Sequence, residues 1–356
     1  MRRFLATLII IPLLAGCSPD AGVPSSGASP TETGPSQVTI GMSYIPNIQF
    51  APFYLAETDG LFDQATAKVE LRHHGASEGL FTAIASGQEQ FVIAGGDEAL
   101  QAREQGVDLV AVGSYYRHYP VRIIAPTAKQ ITTLADLRGK RIGVPGRYGE
   151  SWFGLLVALR SAGLTEDDVT VMEIGYTANA ALATDKVDAV VGFSNNDLVQ
   201  FQLAQMDVTA LGLAPDGAPP LVGASIITTA EFLAANPELV KQVVTAIGQG
   251  MEAALADPAR AVKVAEAYIP GLAEANASAA ARATLDATLL VMANDGCGYD
   301  PDPCPPEGCR ITCDDQVPIS VQIDSQAWAQ MADFLLQVGV LSKPADVAQA
   351  TADVFG

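Results

Sequence analysis

Short apolar runs rich in β-branched residues alternate with helical patterns over the first two thirds of the chain. Such runs predict buried strands, and apolar residues spaced three or four apart predict helices. The predicted strands are 38–42, 68–71, 91–94, 109–112, 121–124, 141–144, 169–174, 187–193 and 224–228. The predicted helices between them are 51–58, 80–86, 98–104, 152–162, 179–184 and 198–205. This alternation predicts an α/β fold with mostly parallel sheets.

After residue 229 the pattern changes to one helix after another. Asn236-Pro237-Glu238 combines a capping residue, a proline for the first helical position and an early carboxylate, so it predicts a helix start. The predicted helices of this part are 239–256, 259–268 and 327–338.

The first residues have the pattern of an export signal. Arg2 and Arg3 precede an apolar run at 4–14 that is too short to span a bilayer, and Leu14-Ala15-Gly16-Cys17 follows. This tetrapeptide resembles the lipobox of bacterial lipoproteins, in which the cysteine becomes lipidated. We therefore predict a signal peptide at 1–16 and a lipid on Cys17; an ordinary secretory peptide with a chance cysteine is the alternative.

Residues 17–37 are rich in Ser, Pro, Gly, Thr and Ala and nearly free of large apolar side chains. Such a composition cannot offset the entropy cost of folding, so we predict a flexible tether. The predicted location is the cell membrane, held by the lipid anchor alone, with the protein facing the periplasm or the cell exterior.

The chain has a formal net charge of −20. An acidic protein is repelled by phosphate backbones and by anionic lipid headgroups, which disfavours nucleic acid and peripheral membrane partners.

Besides Cys17, the cysteines are confined to one Pro/Gly/Asp-rich stretch, residues 296–316. They are Cys297, Cys304, Cys309 and Cys313. For an exported protein this predicts two disulfides with three possible pairings. A zinc site is the alternative, although the spacings match common zinc motifs poorly.

Polar and aromatic residues cluster where the predicted strands end. The segments are Ser43-Tyr44, 74–78, 95–98, 114–116, 145–152, Gly175-Tyr176 and 194–197. Open α/β sheets bind ligands at the carboxyl ends of their strands. Aromatic residues in these loops indicate a cleft that holds a flat molecule with apolar faces and a polar edge.

Several of these residues also have simpler interpretations. Asp97 and Glu98 begin a predicted helix, where they could simply stabilise the positive end of the helix dipole. Asn195-Asn196 could simply form a helix cap and turn. Tyr115-Tyr116 precedes a predicted crossing between lobes, where they could pack a hinge. We predict no metal site, because His73 and His74 would point to opposite faces of a strand and His118 is the one other histidine. We predict no cofactor and no catalytic residue, because neither a nucleophile motif nor a nucleotide-binding loop is present.

The segment 144–154, VPGRYGESWFG, contains three glycines and two aromatic residues. Its glycines lack the spacing of a nucleotide fingerprint, so we predict one wall of a pocket instead. Tyr148 would lie against the face of the ligand's ring, and backbone N–H groups from Gly149 to Ser151 would lie at the edge of that ring. Trp152 is either part of this wall or on the core side of the helix.

In sequence order, several motifs resemble the solute-binding proteins of ABC importers in the thiamine-pyrimidine-synthase-like family. They are Tyr44-Ile45-Pro46-Asn47, the segment 53–62 (FYLAETDGLF), Ala85-Ser86-Gly87, 102–106 (AREQG), 137–143 (LRGKRIG) and 236–240 (NPELV). The likeness covers residues 38–268. It implies a type II periplasmic-binding-protein-like fold, with two mixed sheets flanked by helices and a two-strand hinge. Lobe 1 would be 38–123 plus 223–356, and lobe 2 would be 124–222.

Members of this family bind pyrimidines, sulfonates or riboflavin. The pattern Tyr115-Tyr116-x-x-Tyr119-Pro120, the segments 143–151 and 174–177, and Asn195-Asn196 resemble riboflavin-binding members. The resemblance therefore implies riboflavin first and pyrimidine precursors of thiamine second. A sulfonate site would need positive charge, for which Arg147 is the one obvious residue. The family also has an enzyme branch, which makes the thiamine pyrimidine and uses a cysteine-rich motif. In this chain the cysteines lie in a late loop instead, so the resemblance favours a binding protein over an enzyme.

The implied partners are the ligand, a membrane permease and its ATPase; the implied mechanism is closure of the lobes on the ligand. The predicted ligand-binding residues are Tyr44, Asn47, Phe50, Glu78, Asp97, Tyr115, Tyr116, Tyr148, Gly149, Ser151, Trp152, Tyr176, Asn195 and Asn196.

Overall fold

Strands and helices alternate along most of the chain in the computed structural model, which describes residues 34–75, 78–214, 219–274, 277–300, 310–313 and 318–356. The strands, in chain order, are β1 (Gln37–Met42), β2 (Lys68–His73), β3 (Phe91–Gly95), β4 (Leu109–Ser114), β5 (Val121–Pro126), β6 (Arg141–Val144), β7 (Thr170–Glu173), β8 (Ala189–Phe193), β9 (Val208–Leu211), β10 (Ala224–Thr229), β11 (Cys297–Asp300) and β12 (Arg310–Cys313).

The helices alternate with these strands and then dominate the last third of the chain. In chain order they are α1 (Ala51–Thr58), α2 (Thr82–Ala85), α3 (Gly96–Glu104), α4 (Gly149–Ser161), α5 (Ala178–Ala183), α6 (Asp197–Leu203), α7 (Ala230–Ala235), α8 (Pro237–Ala256), α9 (Pro258–Ala265), α10 (Ala277–Met292), α11 (Ser325–Gln337) and α12 (Val347–Ala350).

Two five-stranded sheets form the framework. The first has the order β2-β1-β3-β10-β4, and the second has the order β7-β6-β8-β5-β9. In each sheet one strand runs antiparallel to both of its neighbours. In the first sheet this strand is β10, between β3 and β4, and in the second sheet it is β5, between β8 and β9. The chain passes from the first sheet to the second after β4 and returns before β10. The predicted fold class, two mixed sheets flanked by helices, is confirmed.

The alternation of side chains along the strands places apolar residues on both faces of the first sheet. On β3, Phe91 and Ile93 pack into one core with α1 and α8, whereas Val92 and Ala94 face the opposite core. That second core also contains Val121 of the second sheet. The sheets therefore share buried apolar contacts, and residues 34–356 form one compact unit. The predicted lobe boundaries stay a prediction.

All the strands and helices predicted from the pattern are present, with ends that differ by a few residues. The sequence pattern missed the strands β9, β11 and β12, the short helices α7 and α12, and the long helix α10. In α10 the buried side chains include Ala281, Thr284, Leu285, Thr288 and Leu289, which follow a helical period. Because alanine and threonine fill several of these positions, the apolar stripe was hidden.

A disulfide joins Cys297 and Cys313 across the hairpin of β11 and β12. This confirms a disulfide in the cysteine-rich stretch; Cys304 and Cys309 lie outside the described residues. So do the predicted signal peptide, Cys17 and the tether up to Thr33. Across the described residues, we find no helix with the length and hydropathy needed to span a bilayer.

Candidate functional site

A cleft lies where strand ends of the two sheets meet. It encloses about 1130 Å³ of non-protein space, a volume that includes its open mouth. Its walls come from the ends of β1, β2, β6, β7 and β8 and from the first turns of α3, α4 and α6. Ten of the fourteen predicted residues line it: Tyr44, Phe50, Glu78, Tyr115, Tyr116, Tyr148, Gly149, Ser151, Tyr176 and Asn196.

Tyrosines from both sheets face each other across the cleft. Tyr44 follows β1 and Tyr176 follows β7, and their ring centroids are 4.4 Å apart at an interplanar angle of 61°. The Tyr148 side chain is hydrogen-bonded to that of Tyr176. Burial raises the pKa of Tyr176 to about 12, so the phenol stays neutral. These rings provide flat apolar faces with hydroxyl groups at their edges.

A second pair of rings comes from the connection between the sheets. Tyr115 and Tyr116 are stacked, with ring centroids 5.1 Å apart, and both are almost fully buried. The Tyr115 hydroxyl donates a hydrogen bond to the carbonyl oxygen of Gln49 at 2.6 Å. Both residues line the cleft while they pack the crossing between the sheets, so the two interpretations of this pair are compatible.

An ion-pair network supports the wall that follows β2. The Arg72 guanidinium donates to Glu78 and to Glu89, each at 2.5 Å, and His74 Nε2 lies 2.8 Å from Glu89 Oε1. The Glu89 side chain has no exposed surface, and a Cβ on Gly41 would lie 2.2 Å from its carboxylate. A glycine is therefore required at this position of β1 to admit the buried carboxylate.

Two buried carboxyls line the cleft, and we call the part of the lining that they form its floor. Glu98 lies in the first turn of α3 and Glu150 in the first turn of α4, and their residues are 3 % and 8 % exposed. Burial, followed by repulsion from the neighbouring carboxyls, raises the pKa of both well above the usual range. Asp97, which is outside the lining, is the neighbouring carboxyl that acts on both.

Four predicted residues lie outside the lining. Asn47 caps a short 3₁₀ turn by accepting from the backbone N–H of Gln49 at 3.2 Å. Asp97 accepts from the Tyr119 hydroxyl at 2.8 Å. Trp152 is on the core side of α4, with the Arg147 guanidinium 4.8 Å from its ring centroid. The fourth, Asn195, is described with α10.

The α10 helix is hydrogen-bonded to residues that follow β8 of the second sheet. Asn195 Nδ2 donates to Thr288 Oγ1 at 3.0 Å and to the Tyr116 hydroxyl at 3.3 Å. Gln200 Nε2 donates to Thr284 Oγ1 at 3.1 Å. Asn195 therefore positions a tyrosine of the lining, although it does not line the cleft itself.

Sequence reasoning missed much of the lining. The further lining residues are Ser43, Gln49, His74, Gly75, Leu80, Ile93, Glu98, Pro145, Glu150, Ile174, Gly175, Ala178, Val191, Phe193, Asp197 and Ala224. Most of the polar residues among them belong to the strand-end segments named in the sequence analysis. Their position at the ends of predicted strands could therefore have identified them as lining residues. Across the described residues, no group of three or more His, Cys, Asp or Glu side chains has an arrangement suited to a metal ion.

Residues 47–261 match the NMT1/THI5-like family. Over its whole length the chain is 32 % identical to the riboflavin-binding protein RibY of Chloroflexus aurantiacus, of which it covers 97 %. It is 25 % identical to a putative thiamine biosynthesis protein of Haemophilus influenzae, over 86 % of this chain and 88 % of that protein.

Among solved structures, the alkanesulfonate-binding protein SsuA of Xanthomonas axonopodis pv. citri, bound to MOPS, superposes with a TM-score of 0.63. The match has 22 % identity and covers 90 % of this chain and 99 % of that one. The predicted family and fold are thereby confirmed. The chain belongs to the NMT1/THI5-like family and has the fold of the periplasmic solute-binding proteins.

Proposed function

We propose that this protein is the solute-binding component of an ABC importer and that its ligand is riboflavin. The observation that carries the proposal is the cleft at the strand ends, walled by tyrosines from both sheets. The full-length similarity to a riboflavin-binding protein supports the choice of ligand.

In this proposal the isoalloxazine ring lies between tyrosine faces. Tyr44, Tyr148 and Tyr176 are half-buried, whereas Tyr115 and Tyr116, in the connection between the sheets, are almost fully buried. A ring pair contributes about 0.5–1.5 kcal/mol beyond the burial of its area. Asn196, Ser151 and the backbone at Gly149 would meet polar atoms of the ring edge or the ribityl chain.

Pyrimidine precursors of thiamine are the second candidate. The family assignment and the similarity to a thiamine biosynthesis protein favour it. A pyrimidine is much smaller than a flavin, so it would fill a smaller part of the cleft.

A sulfonate ligand is less compatible with the charges of the site. None of the described lining residues is a lysine or an arginine. Arg147 instead pairs with Glu166 at 2.5 Å and with Glu173 at 3.7 Å.

We further infer that the protein is a binder and not an enzyme. The described lining contains no cysteine, and its histidine, His74, is bound to Glu89. The partners would be a membrane permease and its ATPase. The protein would act outside the cytoplasm, anchored through a lipid on Cys17.

The proposal is tested by the colour and the ligand response of the purified protein. We expect a yellow protein that releases free riboflavin on denaturation, or a colourless one that quenches flavin fluorescence on titration. A colourless protein that leaves flavin fluorescence unchanged would overturn the choice of riboflavin, and titration with hydroxymethyl and formylamino pyrimidines would then test the second candidate.

A pair of tyrosine variants tests the site itself. Tyr176→Ala removes a ring from the cleft and should weaken riboflavin binding about tenfold, since it removes a ring contact and its buried area. Tyr268→Ala is the matched control, because Tyr268 stacks on Tyr54 with ring centroids 4.1 Å apart and lies outside the lining. Equal losses in both variants would mean that the proposed cleft does not hold the ligand.

A further inference from the structure

The two carboxyls on the floor of the cleft each have a buried oxygen atom without a hydrogen-bond partner. These atoms are Glu98 Oε1 and Glu150 Oε1. The other oxygen of Glu98 accepts from the backbone N–H of Gly95 at 2.9 Å. Both residues line the cleft, and these two oxygen atoms lie just beneath its surface.

The surroundings of these two side chains provide acids but no balancing base. The neighbouring carboxyls whose charges act on Glu150 are those of Glu98 and Asp97. Asp97 Oδ1 and Glu150 Oε1 would each lie 2.5 Å from a Cβ on Gly95, so the two oxygens lie on the same side of that glycine. Three carboxyls packed together away from water cannot all be ionised, because burial and mutual repulsion both favour the protonated forms.

A protonated carboxyl changes what the floor of the cleft can bind. A carboxylate only accepts hydrogen bonds, whereas a carboxylic acid also donates one. A buried donor without a partner is costly, so a ligand that brings an acceptor atom to this place gains affinity. Ring nitrogens and carbonyl oxygens of a flat heterocycle are such acceptors.

The same cleft lacks a counter-charge for an anionic ligand. Its described lining includes Glu78, Glu98, Glu150 and Asp197 and neither lysine nor arginine. The Arg72 guanidinium behind Glu78 is already held by Glu78 and Glu89. A phosphate or sulfonate group that enters would lose its hydration without gaining a cation.

We propose that Glu98 and Glu150 are specificity-determining residues that donate hydrogen bonds as neutral acids to acceptor atoms of the ligand, and that the cleft selects uncharged ligands over phosphorylated ones. This inference rests on the proposed function. For riboflavin it means that the free vitamin binds and that riboflavin 5′-phosphate is rejected.

The test measures the dissociation constants of riboflavin and riboflavin 5′-phosphate for the full-length protein and three variants. Wild type should bind the phosphate ester at least about 100-fold more weakly than riboflavin, the size of an uncompensated buried charge. Glu98→Gln and Glu150→Gln keep a neutral donor and should bind riboflavin within about threefold of wild type. Glu150→Met keeps the length but removes the donor, and should weaken binding about tenfold.

The outcomes separate this inference from the proposed function. A wild type that binds no riboflavin overturns both. A wild type that binds riboflavin and its phosphate ester equally, or a Glu150→Met variant that binds as tightly as wild type, overturns the inference alone. So does a Gln variant that gains affinity for the phosphate ester, because that gain would show that the acid it replaces is charged. The comparison of the two flavins needs no variant, so it remains decisive if Glu150→Met fails to fold.

Discussion

Asp97 has no exposed surface, although it carries an ionisable group. Its Oδ2 accepts from the Tyr119 hydroxyl, while its Oδ1 has no partner among the described residues. Burial raises its pKa from 3.8 to about 6. The folded protein therefore holds a proton that the unfolded chain releases in the same pH range.

The sign of the resulting pH dependence follows from linkage. An acid with a raised pKa in the folded state stabilises the fold fully below its unfolded pKa, near pH 4, and this contribution is lost as the pH rises through 6. Asp97→Asn cannot ionise, and its amide oxygen can still accept from Tyr119. Between pH 4 and pH 7 we expect the free energy of unfolding to shift in favour of the variant by about 2 kcal/mol relative to wild type.

Urea unfolding at each pH measures this difference. Asp63→Asn, at an exposed aspartate, is the control for the general effect of removing an acid. If the difference between Asp97→Asn and wild type stays constant across this range, Asp97 does not hold its proton in the folded state.

At the scale of elements, α10 links parts of the molecule that are distant in sequence. Thr288 has no exposed surface; it accepts from Asn195 and donates to the carbonyl oxygen of Thr284 at 2.8 Å. Asn195 in turn donates to the Tyr116 hydroxyl in the cleft. The position of this tyrosine therefore depends on a helix that contributes no residue to the described lining.

Thr288→Val tests this dependence. Valine keeps the shape of the side chain but no longer accepts from Asn195, so we expect a loss of about 1–3 kcal/mol in the free energy of unfolding. Riboflavin binding should weaken several-fold, because Asn195, which donates to the Tyr116 hydroxyl, is no longer held by Thr288. Thermal unfolding and fluorescence titration provide the two measurements.

Thr245→Val is the matched control on α8. The Thr245 hydroxyl also donates to a carbonyl oxygen four residues earlier, that of Lys241 at 2.8 Å, but at the surface and away from the cleft. If both variants change riboflavin binding alike, α10 has no special connection to the site.

At the scale of the whole molecule, the site is built by both sheets. Tyr44 and Tyr176 come from different sheets, and the sheets also share a buried apolar cluster. A ligand held between them adds contacts that the unfolded chain cannot make. Ligand binding and global stability are therefore coupled.

We expect riboflavin to raise the unfolding temperature in calorimetry. At a free concentration 100 times the dissociation constant, binding adds about 2.7 kcal/mol of stability, which corresponds to a shift of several degrees. Ribitol, which lacks the ring, should leave the unfolding temperature unchanged. An unchanged temperature at saturating riboflavin would contradict a ligand held between the sheets.

Much of the fold was readable from local pattern. The predicted strand at 141–144 and the predicted helix at 51–58 have the bounds of β6 and α1. Tyr44, Tyr148 and Tyr176 were found because each directly follows a predicted strand or lies in the loop after it. Apolar alternation, helix starts and strand ends depend on neighbouring residues, so the amino-acid sequence alone determined them.

Only the tertiary structure decided which of these side chains meet. Glu150 and Trp152 are two positions apart on α4, yet one lines the cleft and the other packs in the core, because each residue of a helix points about 100° away from the last. The hydrogen bond from Asn195 to Thr288 of α10 joins residues 93 positions apart, and the pairing of Cys297 with Cys313 selects one partner among several cysteines. Such contacts depend on how complete elements pack, and a local pattern does not carry that information.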